Sequence, residues 1–182
     1  MRRRKLLSVI LALSLCLTLP LGMAEETTGT ATEVKTSKEL TDALADSAIE
    51  TVRLGANIEI SASLAVSRTV TLDLNDHVLK MTGNSSVIMV NGGGDLTLTD
   101  SAETKTVKYF SKDENGLWML LTDDTTSENT VTGGVITGGT GYSYENYTCG
   151  GGVYVAGGGK FTMNGGSIAG CAAQATTGRA YG

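Results

Sequence analysis

Proline is almost missing from this chain: the single copy in 182 residues, Pro20, stands near the start. Tryptophan and histidine also occur once each, and aromatic residues make up 5% of the whole. A compact sandwich of this length would draw on more aromatic bulk and on proline-marked turns. A stack of thin layers of Val, Ile and Leu needs neither. With His77 alone, no polyhistidine metal centre can be assembled. The longest apolar run, Leu6 to Leu19, is too short for a comfortable membrane span.

That run has another use. Arg2, Arg3, Arg4 and Lys5 precede it, Pro20 breaks it, and Gly22-Met23-Ala24 supplies small residues at −3 and −1 of a cleavage site before Glu25. The order is that of a signal peptide over residues 1–24, which predicts an extracellular or cell-surface protein. Cys16 does not make a lipidation site, because Leu15 precedes it where a small residue is wanted.

The leader takes four basic residues and no acidic one. The formal net charge of −5 therefore becomes −9 on a mature part with 10 basic and 19 acidic residues. Nothing basic is clustered, which argues against nucleic acid or an anionic membrane as partner. Cationic ligands, calcium and neutral glycans stay open. Cys149 and Cys171 remain after cleavage, 22 residues apart, in a compartment that permits disulfides. A bridge between neighbouring layers and two free thiols both fit that spacing.

Residues 25–35 read as a flexible polar leader. Thr36 and Glu39 then form a capping box, with Leu40, Ala43 and Leu44 on one helical face, so a short helix is expected to cover the open end of a β-stack. From Thr51 the period changes to two, in short strands such as Val52-Arg53-Leu54 and Val70 to Leu74, broken at Gly55, Asn75-Asp76, Gly83-Asn84 and Gly92 to Gly94. Residues 104–122 interrupt the pattern as an inserted β-hairpin around Asn115-Gly116, standing off the stack and carrying Trp118.

Sixteen of the 24 glycines lie from Thr130 onward. Sliding Thr130–Gly150 by 32 positions onto Thr162–Gly182 matches Thr130 with Thr162, Gly133-Gly134 with Gly165-Gly166, Ile136 with Ile168, Gly138 with Gly170 and Gly150 with Gly182. A fixed-offset repeat of this kind marks a solenoid, in which Ile136 and Ile168 would stack in adjacent layers. Gly182 falls where the next strand should begin, so the expectation is a segment of a longer reading frame.

The stretch from Gly150 to Gly170 and the stretch from Val131 to Gly139 resemble right-handed parallel β-helix repeats of the pectin-lyase type. More narrowly, they are similar to adhesin-like surface proteins of gut Firmicutes. Phe161-Thr162-Met163-Asn164 and Gly165-Gly166-Ser167-Ile168 also resemble the FxxN and GGAI tetrapeptides of chlamydial polymorphic outer-membrane proteins. Here Ser167 replaces Ala, and FxxN occurs once.

The resemblance implies an all-β fold, a right-handed parallel β-helix over residues 36–182. Together with the signal peptide, the repeat and the missing catalytic sets, it points to an exported protein with a structural or adhesive role toward an extracellular glycan or a host or cell-surface protein. No catalysis in this segment, no cofactor and no membrane span after cleavage are expected. The alternative is the N-terminal part of a pectate-lyase-like polysaccharide lyase or glycoside hydrolase whose catalytic coils lie beyond Gly182.

Asp123-Asp124 resembles the paired carboxylates of polygalacturonase-type enzymes but lacks their companion motifs, and a solvated loop is expected there. Asp76-His77 and Gly92-Gly93-Gly94-Asp95 read as turns. The candidate ligand contacts are Trp118 on the hairpin and Tyr142, Tyr144 and Tyr147 in a polar loop. Flat rings carried on loops can stack on sugar faces. For Trp118 the competing expectation is that it packs the hairpin down onto the body.

Overall fold

A computed structural model describes residues 31–122, 126–174 and 178–181, apart from the side chain of Tyr144. The signal peptide expected over residues 1–24, Asp123-Asp124 and Gly182 lie outside the described residues. The helix α1 spans Ser37–Ala45. Thr36 Oγ1 accepts from the Glu39 N–H at 3.2 Å and the Glu39 carboxylate takes the Thr36 N–H at 3.2 Å, the expected capping box. Its last carbonyls, Ala43 and Leu44, accept from the Arg68 guanidinium at 2.9 Å each, which satisfies groups the helix leaves bare. Leu40, Ala43 and Leu44 are buried against the first strands.

The polar stretch 25–35 is a strand in part. β1 (Thr32–Val34) pairs in parallel with β2 (Thr51–Leu54), setting Val34 against Leu54. One apolar residue among Thr, Glu and Lys carries no period. The strand exists because β2 offers it an unpaired edge.

Successive strands then enter three parallel sheets in rotation. β2, β3 (Ile58–Ile60) and β4 (Leu64–Val66) go to the first, second and third sheet. β5 (Thr69–Asp73), β6 (Val78–Met81) and β7 (Ile88–Val90) follow in the same order, and β8 (Asp95–Thr99) returns to the first. The inward residues meet in register: Val52 beside Leu72 and Leu72 beside Leu98, Ile58 beside Leu79, Leu64 beside Ile88. They form one continuous core in which most of these side chains are fully shielded. At roughly 1.5–3 kcal/mol per buried aliphatic side chain, that core is the main stabilising term.

After β8 the chain makes an excursion, and here the structure departs from the expected free-standing hairpin. β9 (Val107–Lys112) pairs antiparallel with β10 (Trp118–Leu121), and on its other edge with β11 (Asn129–Thr132). The three-stranded sheet does not stand off. Phe110, 4% exposed, packs on Val78 and Val135, which point outward from the second parallel sheet, with Leu120 and Val131 around it. Thr130, expected to open the glycine-rich repeat, belongs to β11. Asn-Thr-Val-Thr alternates equally well for either sheet, so the sequence could not choose between them.

The chain returns with β12 (Val135–Thr137) in the second sheet, β15 (Val153–Val155) in the third, β16 (Lys160–Met163) in the first and β17 (Ser167–Ile168) in the second. Ile136 and Ile168 are register partners, as the 32-residue offset predicts. β16 follows a different offset and pairs Lys160 with Asp95. Between β12 and β15, β13 (Tyr142–Tyr144) and β14 (Tyr147–Cys149) form a hairpin. β18 (Arg179–Tyr181) joins β14 in parallel, again at 32 residues.

Three carboxylates tie the base of the excursion to the body. Asp73 accepts from Arg53 Nε at 2.8 Å, the Ser101 N–H at 2.8 Å and the Ser101 hydroxyl. Asp100 accepts from the Asp76 N–H at 2.7 Å, the Gly134 N–H at 3.0 Å and Lys105 Nζ. Asp76 accepts from the Thr106 N–H at 2.9 Å and Lys108 Nζ at 2.6 Å. Burial pushes all three carboxyl groups up. The hydrogen bonds and lysine or arginine charges together outweigh it and hold each below the usual carboxylate range. Asp76-His77 is the turn that was expected, with Asp76 at φ 64° and the His77 N–H on the Leu74 carbonyl at 2.8 Å.

Candidate functional site

The turn between β9 and β10 aims Trp118. Asp113 accepts from the backbone N–H groups of Asn115 and Leu117 at 2.9 and 2.8 Å, and Gly116 supplies the positive φ of 79°. The chain reverses there into Trp-Met-Leu-Leu. Trp118 and Met119 stay 40% and 53% exposed while Leu120 turns toward Phe110. Packing the excursion down is therefore the work of Phe110, and Trp118 is left half open. Lys112, its register partner, holds Nζ 5.0 Å from the indole centroid, a cation–π contact on the ring.

Two clefts meet at Trp118, where the antiparallel sheet overhangs the second parallel sheet. One, of about 220 Å³, has Trp118, Met119 and Leu117 on one wall and Lys80, Thr140 and Gln174 among its polar lining. The other, of about 310 Å³, lies between Trp118, Phe110, Asn129 and Ala169. Gly170 lines both. It adopts φ 63°, and a Cβ there would stand 2.9 Å from the Trp118 carbonyl oxygen and 2.9 Å from Phe110 Cε1. An aromatic wall with amide, hydroxyl and ammonium groups facing it can hold a small polar molecule with an apolar face.

The tyrosines sit elsewhere. Tyr142 packs on Tyr154 of β15, with centroids 5.1 Å apart at 33°, and Tyr147 packs on Tyr181 of β18, at 6.0 Å and 36°. Neither cleft at Trp118 is lined by any of them. Of the candidate contacts, Trp118 thus lines a cleft, while Tyr142 and Tyr147 belong to a tyrosine platform. The sequence reading missed Tyr154 and Tyr181. The 32-residue register was the signal that could have found Tyr181, since it places Arg179 beside Tyr147 and Tyr181 beside Cys149.

That register also explains why the bridge considered between Cys149 and Cys171 is not formed. Both thiols are free. Cys149 has Tyr142 and Tyr181 as cross-strand partners. Cys171 packs on the core, its Sγ 3.8 Å from the Ile136 carbonyl, and burial pushes its thiol up. Gly92 to Asp95 forms the expected tight turn, with Gly93 at φ 85° and the Gly94 N–H on the Asn91 carbonyl at 2.9 Å. Among the described residues, no group of three or more His, Cys, Asp or Glu is placed to hold a metal ion.

Residues 31–155, from β1 through β15, match the family described as "Putative pectate lyase-like adhesive domain", a stretch that holds Trp118, Tyr142, Tyr147 and Tyr154 but not Gly170 or Tyr181. The chain belongs to this family. No curated protein and no solved structure matches it. For a pectate lyase-like adhesive domain, an adhesive or surface role and extracellular partners are the indicated assignment. Among the described residues no helix is long and apolar enough to cross a membrane.

Proposed function

We propose that this chain is exported through residues 1–24 and that its mature part is a right-handed parallel β-helix acting as an adhesive module at the cell surface. In this reading it binds an extracellular glycan or surface protein and performs no catalysis. Several features support it: the basic, apolar and small-residue order of the leader, the rotation of strands through three parallel sheets, and the family match. The observation that carries ligand binding is Trp118, 40% exposed at the mouth of two clefts while Phe110 beside it is buried. Tyr142, Tyr144 and Tyr147 are proposed as further contacts.

The test uses the fact that Trp118 is the only tryptophan. The mature chain is screened on a mixed glycan array, and hits are titrated while indole emission is followed. A ligand in the cleft is expected to shift that emission, and Trp118→Ala to weaken binding at least about tenfold with the unfolding midpoint little changed. Binding that persists unaltered in Trp118→Ala would remove the cleft from the adhesive role.

A further inference from the structure

Ten lysines and arginines follow the leader, and nine are occupied. Lys35, Lys38, Arg53, Lys80, Lys105, Lys108 and Lys160 each pair with a carboxylate. Arg68 donates to backbone carbonyls at the end of α1, and Lys112 lies over Trp118. Arg179 differs. Its backbone N–H is bound to the Asn146 carbonyl at 2.9 Å, but among the described residues its guanidinium has no partner, and the residue is exposed. In a mature part with 19 acidic residues against 10 basic ones, an unpaired arginine is unexpected. Glu145, in the neighbouring β13–β14 turn, does not pair with it.

Strand geometry decides what stands beside Arg179. Tyr181 is two residues on, on the same side of β18, and Tyr147 is the in-register partner of Arg179 on β14. The two rings lie 6.0 Å apart at 36° and are 48% and 44% exposed. A free guanidinium therefore shares one sheet face with two half-open phenol rings.

We propose that Tyr147, Arg179 and Tyr181 form a subsite for an acidic sugar, a pyranose bearing a carboxylate or a sulfate. The phenol faces suit the C–H face of the sugar ring. The planar guanidinium fork suits two oxygens of one carboxylate or sulfate group. A neutral glycan would use the rings alone and a peptide carboxylate the guanidinium alone. A charged ring uses both at once. The overall charge of −9 on the mature part disfavours an extended polyanion, so the subsite takes a single charged residue of a glycan. This proposal rests on the adhesive reading and sharpens it at the tyrosine platform, apart from the Trp118 cleft.

The test is calorimetric titration of the mature chain with three probes: 3′-sialyllactose, lactose 3′-sulfate and lactose. At least one acidic probe is expected to bind about tenfold or more tighter than lactose, and the two acidic arms distinguish carboxylate from sulfate. Arg179→Gln is expected to abolish that preference, with circular dichroism unchanged because the side chain is exposed. Arg179→Lys keeps the charge without the fork and is expected to restore part of the preference. Tyr181→Ala is expected to weaken the acidic probe. Equal binding of all three probes, binding of neither acidic probe, or a preference that survives Arg179→Gln would overturn the subsite. Glycan-array binding that depends on Trp118 would still stand in that event, and its loss would leave this subsite untouched.

Discussion

Gly170 joins the excursion to the body at a single backbone position. Its φ of 63° is one that side-chain-bearing residues adopt at a cost, and the Phe110 ring edge and the Trp118 carbonyl leave no room for a Cβ. Gly170→Ala is expected to lower stability by about 1–3 kcal/mol in urea unfolding. It is also expected to disturb Trp118 emission in the folded state, because the strand carrying it must shift. Glycine enrichment after Thr130 was plain in the sequence, but which glycine bears a packing constraint was not. That depends on what the excursion brings against it, Trp118 and Phe110, from far upstream in the chain. The thiols teach the same lesson. A 22-residue spacing resembles one layer, yet the structural register in that region is 32, which sets Cys171 beside Gly139 rather than beside Cys149 of β14. Two titratable thiols per mature chain are expected after unfolding without reductant. None would show that the bridge forms.

At the level of elements, the antiparallel sheet is held by one apolar contact and one ionic base. Phe110→Ala removes the contact and is expected to cost about 3–5 kcal/mol, whereas Trp118→Ala, half exposed, should cost far less. The ionic base predicts a pH response. Asp73, Asp76 and Asp100 lie below their ordinary range in the folded chain, so at acid pH the unfolded chain binds more protons. Their contribution is complete above the unfolded carboxylate range, near pH 4, and is lost as pH falls through the lowered values. Amide exchange in residues 107–121 is expected to accelerate at such pH before exchange in β5 and β8 does. Simultaneous loss would show that the base does not govern docking. The capping box of α1 and the Asn115-Gly116 turn were legible because both are local chemistry. β11 was not, because its choice of partner is made by Phe110 and the valines Val78 and Val135 that it covers on the second sheet.

Across the whole molecule, the order of strands in three parallel sheets places the Trp118 cleft on the outer side of the second sheet and the tyrosine platform on an edge built by β13, β14 and β18. If cleft and platform both bind, one branched ligand can make two contacts, and avidity follows if its span fits both. On a ligand that spans both, the loss of either Trp118 or Arg179 is then expected to remove most of the surface binding, so that a variant lacking both loses less than the separate losses combined. Additive losses would indicate independent sites. The parallel, layered character was readable from short alternating strands with few hairpin signals. The relation between cleft and platform was not, since it rests on where the excursion folds back.

The same excursion has a temporal side. β16 finds its place on β8 across a gap of 65 positions, Lys160 against Asp95. Until those intervening residues have been made and packed, the backbone groups along one edge of β8 have no strand to meet. Closing so long a loop is slow compared with joining β5 to β2. During that interval the half-built chain can pair with another of its kind. Yield on refolding should therefore fall with concentration, while β8 waits for its partner.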